Sequence, residues 1–217
     1  MKMNILTVLF LGVLLTSCGM TRGQGGSSDD FDYGHIEDGK YVNSFFKFEI
    51  TLPDGWVVQS QEQMDNLTEK GTELAFGENK FKKAVVKASL INTANLLQAF
   101  QYELGAPVDF NPNISIVAEN ISNTPGIKTG GDYLFHLRKM LKESLLDVEH
   151  VDENFEKETI GGRTDFYKMK VTINYLQKAN QIVYATISNG FSLCIVITSN
   201  DEVQQQMLKT INTIKFH

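Results

Sequence analysis

Two short turns govern how the last third of this chain can fold. Asn189-Gly190 separates the apolar runs 181–188 and 191–198, and Gly161-Gly162 separates 155–160 from 163–174. A two-residue hairpin loop needs positive φ at its centre, which Gly and Asn adopt and β-branched residues resist. Strands rich in Val, Ile, Tyr and Phe that flank such loops must pair antiparallel. Residues 155–198 therefore predict an antiparallel meander of four strands. The 191–198 run is apolar almost throughout, the pattern of a central strand covered on both faces. Ser199 and Glu202 have capping-box spacing and predict a closing helix to about residue 213.

Earlier segments give a mixed pattern. Phe46, Phe48, Ile50 and Leu52 alternate with Lys47, Glu49 and Thr51, which reads as a half-buried strand. Pro53-Asp54-Gly55 ends it, and Trp56-Val57-Val58 resumes extended structure. Ser60 with Gln63 forms a capping box that predicts a short helix. Residues 84–91 read as a strand. Residues 93–104 carry Leu97, Phe100 and Leu104 at helical spacing and predict a helix stopping at Gly105. Residues 114–121 alternate and favour a strand. Asp132 is placed to cap a helix running to about residue 146, with the stripe Leu134, Leu137, Leu141 and Leu145. The sum is α+β, with helices packed on a mainly antiparallel sheet. No internal repeat is present.

The chain has 217 residues and a net charge of −6. That mild acidity, without a basic block, excludes an electrostatic nucleic-acid binder. The candidate chemical groups each have a plainer alternative. Asp147, Glu149, His150, Asp152 and Glu153 form the densest acidic cluster, and carboxylates with imidazole bind divalent cations. Their spacing follows no metal-site pattern, and a solvated loop is the plainer reading. Cys194 lies inside Leu193-Cys194-Ile195-Val196, where a thiol behaves as a small hydrophobe. His136 falls one residue from the helical stripe; His35 and His217 are peripheral. Trp56 and the aromatic strand positions fit a core or a groove. The stretch 34–40 fits seven positions of a phosphate loop, but Tyr41 stands where a Ser or Thr would bind magnesium, and no strand precedes it. No nucleophile elbow and no metalloprotease signature occur. No catalytic, cofactor-binding or metal-ligating residue is assigned.

The N-terminus is the most specific signal. Lys2 precedes an eleven-residue apolar run, 5–15, and Leu15-Thr16-Ser17 leads into Cys18. Crossing a bilayer takes about 20 apolar residues, so the run has the length of a signal-peptide core instead. The pattern resembles a bacterial lipoprotein signal. That resemblance implies export, cleavage of residues 1–17 and lipid attachment at Cys18, with acyl chains as the membrane anchor. Residues 18–40 crowd Gly, Ser and Asp with few apolar residues and predict a flexible tether with an r.m.s. span of about 25 Å. Residues 41–217 are then a single domain large enough for its own core. With Cys18 acylated, Cys194 has no partner for an intramolecular disulfide.

Within that domain, Tyr41, Asn43, Phe46, Phe48, Ile50, Leu52-Pro53, Gly55-Trp56, Ile160-Gly161-Gly162-Arg163, Tyr167, the strand 190–198, Ile214 and Phe216 resemble the PsbP-like superfamily. It includes the extrinsic P subunit of photosystem II, a small Ran-binding import factor and many bacterial lipoproteins. The resemblance covers about residues 41–216. It implies an α/β/α sandwich and action by binding other proteins without a cofactor. The expected partners are membrane lipid through Cys18 and a protein of the cell envelope. Two other classes stay open at this point. One is a binder of metal or a small ligand through the 147–153 cluster. The other is an envelope enzyme whose site assembles from scattered residues.

Overall fold

The computed structural model describes residues 31–79, 92–175 and 177–217. The first elements are β1 (His35–Glu37), β2 (Lys40–Asn43), β3 (Phe48–Thr51), β4 (Val57–Val58) and α1 (Gln61–Phe76). Next come β5 (Thr93–Phe100), β6 (Asn113–Asn120), α2 (Gly130–Glu143), β7 (Asp147–Val151) and β8 (Glu156–Ile160). The chain closes with β9 (Arg163–Tyr175), β10 (Gln177–Ser188), β11 (Phe191–Ser199), α3 (Gln204–Ile211) and β12 (Lys215–Phe216). The strands form an eight-stranded sheet in the order β4-β5-β6-β11-β10-β9-β7, with β8 also on β9, and a four-stranded sheet β1-β2-β3-β12. Every pairing among them is antiparallel.

The large sheet is covered on both sides. On one face Val117, Met169, Val171, Val183 and Val196 meet Tyr133, Leu134, Leu137 and Leu141 of α2. On the other, Ile114, Ile116, Ile182, Ile195 and Ile197 meet Tyr41, Phe48 and Ile50 of the small sheet and Met207 and Ile211 of α3. The molecule is therefore α+β, with a layer of helices, a central antiparallel sheet and a second layer of small sheet plus helix. This is the layered arrangement expected from the sequence, with the small sheet as an addition.

Both governing turns form as read. Ile160 pairs with Arg163 and Ser188 with Phe191. All four turn residues have positive φ, from 52° to 89°. The Ser60 capping box opens α1, which runs longer than the short helix expected.

Four expectations are corrected. Residues 93–100 are a strand, not a helix. Six of the eight side chains are buried, on both faces, and a bulge between Asn95 and Leu97 shifts the register, so no period of two survives in the sequence. The cap of α2 is Thr129, with Asp132 three positions later completing a capping box, and the helix ends at Glu143. Leu145 thus lies beyond the helix and is 71% exposed. The Ser199–Glu202 box does not form. β11 runs on to pair Ser199 with Asn180, and α3 starts after Val203 without a side-chain cap. Finally, residues 31–40, assigned by composition to the tether, belong to the folded domain: β1 and β2 form a hairpin there. The expected strand at 84–91 and residues 1–30 lie outside the described residues.

Candidate functional site

Three of the five residues of the acidic cluster sit on an edge strand of the large sheet, and Asp152 and Glu153 lie in the connection that follows it. β7 carries Asp147, Glu149 and His150 and pairs with the second half of β9. A charged edge strand resists pairing with other chains, which accounts for the composition. Glu149, Asp152 and Glu153 are engaged. Glu149 meets Lys178 at 2.7 Å, Asp152 meets His150 at 3.0 Å, and Glu153 meets Lys142 at 2.5 Å and Arg138 at 3.1 Å. Asp152 also accepts from the Lys170 amide at 2.8 Å. The hydrogen bond from Lys178 holds the Glu149 carboxyl below its usual range, and the one from Lys142 does the same for Glu153. Arg138 is stacked between Phe135 and Phe155, at 5.3 and 5.2 Å. Its guanidinium also donates to the Asp152 and Glu153 carbonyls. This constellation clamps the β7–β8 connection onto α2. Among the described residues no group of three or more His, Cys, Asp or Glu is placed to hold a metal ion.

A second cluster escaped the sequence reading. Glu119 at the end of β6 and Tyr133 on α2 are both buried, and the phenol donates to the carboxylate at 2.8 Å. Cys194 and Ser192 of β11 lie beside them, Sγ and Oγ 3.5 Å apart. Burial, together with the Glu119 charge and the neighbouring thiol, pushes the Tyr133 phenol well up. Burial pushes the Cys194 thiol up to about 12. A reactive thiol needs the opposite, a lowered pKa in a partly open setting. The group is a polar rivet between α2 and the sheet. Its sequence signal was the lone Glu119 inside the apolar run 114–121.

The root of the N-terminal segment was also missed. Phe31 lies against Phe45, Phe191 and Tyr33 at 4.9, 5.3 and 5.1 Å. Asp32 accepts from the Gly34 amide at 2.7 Å and from the Ser44 amide and hydroxyl, both at 2.8 Å. Tyr41 donates to the Tyr33 carbonyl, and Asn43 to that of Asp32. Partial burial alone would raise the Asp32 carboxyl, but these hydrogen bonds outweigh it and hold it below its usual range. The signal was the pair Phe31 and Tyr33, aromatic residues in an otherwise polar stretch.

The remaining candidates have structural places. Residues 34–40 include the β1–β2 hairpin, with Asp38-Gly39 as its turn, and Lys40 bonds Glu49 at 2.9 Å. Trp56 packs against the core of the small-sheet side. His136 sits edge-on to Phe135; burial and nearby Lys139 lower its basicity against the pull of Asp132. His35 and His217 stand 3.6 and 3.9 Å from Glu37 and Glu49. The motif residues Gly161, Arg163 and Phe216 interlock. Arg163 lies over Phe166 and Phe216, and the Gly161 carbonyl accepts from the Phe216 amide. These contacts join the two sheets and carry no reactive group. Cys18 lies outside the described residues. Among the described residues no helix is long and apolar enough to cross a membrane.

No family model matches the chain, and no curated protein matches it in sequence. Two solved structures are similar in shape. One is a cyanobacterial PsbP from Synechocystis, at 12% identity and a TM-score of 0.48, covering 94% of this chain and 99% of its own. The other is a crystallised chain from Bacteroides thetaiotaomicron, at 12% identity and a TM-score of 0.37, covering 84% of this chain and 49% of that one. The chain thus spans about half the length of the second protein. Scores this low carry no argument about family or function.

Proposed function

We propose that this chain is a lipid-anchored, non-catalytic binding or accessory module of a bacterial cell envelope. The observation that carries the reading is the N-terminal sequence: Lys2, an apolar run of signal-peptide length, and Leu15-Thr16-Ser17-Cys18. The polar Gly/Ser/Asp segment behind Cys18 supports it, since an anchored domain needs a spacer. So does the PsbP-like resemblance of residues 41–216, whose better-understood members act through other proteins. The groups with chemical potential also fit a binding role. Cys194 is buried with a raised pKa, and Glu149 and Glu153 of the 147–153 segment are held by Lys and Arg.

The partner is then a protein of the same membrane or its adjacent space, reached by the domain from its anchor. Cross-linking in intact membranes, followed by mass spectrometry, tests this. The expected result is one reproducible partner, cross-linked to lysines of residues 31–217 and lost when Cys18→Ser abolishes anchoring. Repeated capture with no consistent partner would remove the reading.

A further inference from the structure

The anchored root of the N-terminal segment fixes which end of the domain approaches the membrane. Phe31 is held among Phe45, Phe46 and Phe191, at 4.9 to 6.2 Å, and Asp32 is fastened to Ser44. Those neighbours belong to one end of the large sheet. Phe191 starts β11 directly after the Asn189-Gly190 turn, and Asn189 donates to the Phe45 carbonyl at 2.7 Å. The Gly161-Gly162 turn joins them there, with the Gly161 carbonyl accepting from Phe216 and the Lys47 carbonyl from His217. The opposite end holds the β9–β10 connection and the 101–112 loop, whose base is closed by the Gln101 amide on the Pro112 carbonyl at 3.0 Å.

The reach of the chain decides between the ends. Thirteen residue steps separate Cys18 from Phe31. Fully extended they span at most about 45 Å, and a Gly/Ser-rich chain of that length has an r.m.s. span of about 20 Å. β9 alone has 13 residues, and at about 3.3 Å per residue it measures about 43 Å from one end of the sheet to the other. Bringing the β9–β10 connection to the lipid would require the connecting chain to lie almost straight along β9, and bringing the 101–112 loop there would require it to run back along β6, about 26 Å. An ordinary span leaves the root end nearest the anchor.

We infer that the domain presents its turn end, with Phe45, Lys47, Gly162 and Asn189, to the phospholipid surface, and turns the 101–112 loop outward. This rests on Cys18 anchoring and adds the direction in which the domain faces. The occupant of the turn end is the bilayer that the anchor enters. At this end Arg163 meets Asp165 at 2.6 Å, Asp32 accepts from Ser44, and Lys47 is exposed. The orientation follows from the length and attachment point of the tether, so it is expected on zwitterionic lipid as well as anionic lipid.

The test places one fluorophore at Asn123→Cys, on the loop beside the Gly190 turn, or at Glu103→Cys, on the far loop; both positions are exposed. Cys194 is buried and does not compete for label. The lipidated full chain is reconstituted in phosphatidylcholine vesicles carrying a headgroup energy acceptor. Transfer from position 123 is expected to exceed that from position 103 at least about twofold, since β6, eight residues or about 26 Å of strand, separates the two loops. Equal transfer, or more from 103, would overturn the orientation. The same pair is measured with Cys18→Ser chains held through an N-terminal hexahistidine on a nickel-chelating lipid. Absence of lipid on the cell-derived chain would defeat the anchoring reading alone. Equal transfer on the chelating lipid would defeat the orientation alone.

Discussion

Single residues carry two sharp consequences. Cys194 has no exposed surface, and its pKa is pushed to about 12. A chain beginning at Gly19 should therefore show no fast thiol reaction with a maleimide at pH 7.5 and one equivalent after denaturation. Rapid native labelling would mean that β11 or α2 opens readily. Asp32 has the opposite character, a carboxyl held below its usual range by hydrogen bonds that outweigh its partial burial. A depressed folded-state pKa stabilises above the unfolded value and loses that contribution as pH falls through the folded value. Asp32→Ala should lower the exchange protection of the Ser44 amide about fivefold at pH 7, equivalent to about 1 kcal/mol after discounting for solvent screening. The gap should narrow as pH falls below the ordinary carboxylate range and through the lowered folded value. A gap that stays constant across the whole acid range in which the fold survives would show that the carboxylate charge is not what holds the root.

At the scale of elements, what was legible had a local instruction. Asn189-Gly190, Gly161-Gly162 and the Ser60–Gln63 box act over two to four residues, and the structure keeps all three. β5 lacked such an instruction. Burial on both faces and the bulge after Asn95 left Leu97 and Phe100 at a spacing that mimics a helix. The β7 edge was illegible because its partner, the second half of β9, lies twenty or more residues further along the chain. The Ser199 box failed because pairing with Asn180 took the residue into the sheet. α2 gives two tests of the corrected start. Thr129→Ala removes the cap and should cost about 1 kcal/mol. At Gly130 a Cβ would lie 1.9 Å from the Ala185 carbonyl oxygen. Gly130→Ala should therefore cost about 2–3 kcal/mol, as overpacking against a backbone does. Urea unfolding measures both, and a neutral Gly130→Ala would place α2 farther from β10 than described.

For the whole molecule, the N-terminal sequence carries the proposed address and the fold carries the shape. Motif residues such as Gly161, Arg163 and Phe216 turned out to join the two sheets, and the acidic cluster turned out to clamp the β7–β8 connection to a helix. The proposed role therefore rests on Cys18, on the root at Phe31 and Asp32, and on the surface that a tethered domain can bring to a partner. Under the proposed role, the folded root leaves a shorter spacer than the one expected from composition. The most direct measurement is the mass of the mature N-terminal peptide from protein extracted out of membranes with detergent. The account predicts a peptide that starts at Cys18 and carries a diacylglyceryl group. An unmodified Cys18, or a mature chain that begins elsewhere, would contradict it.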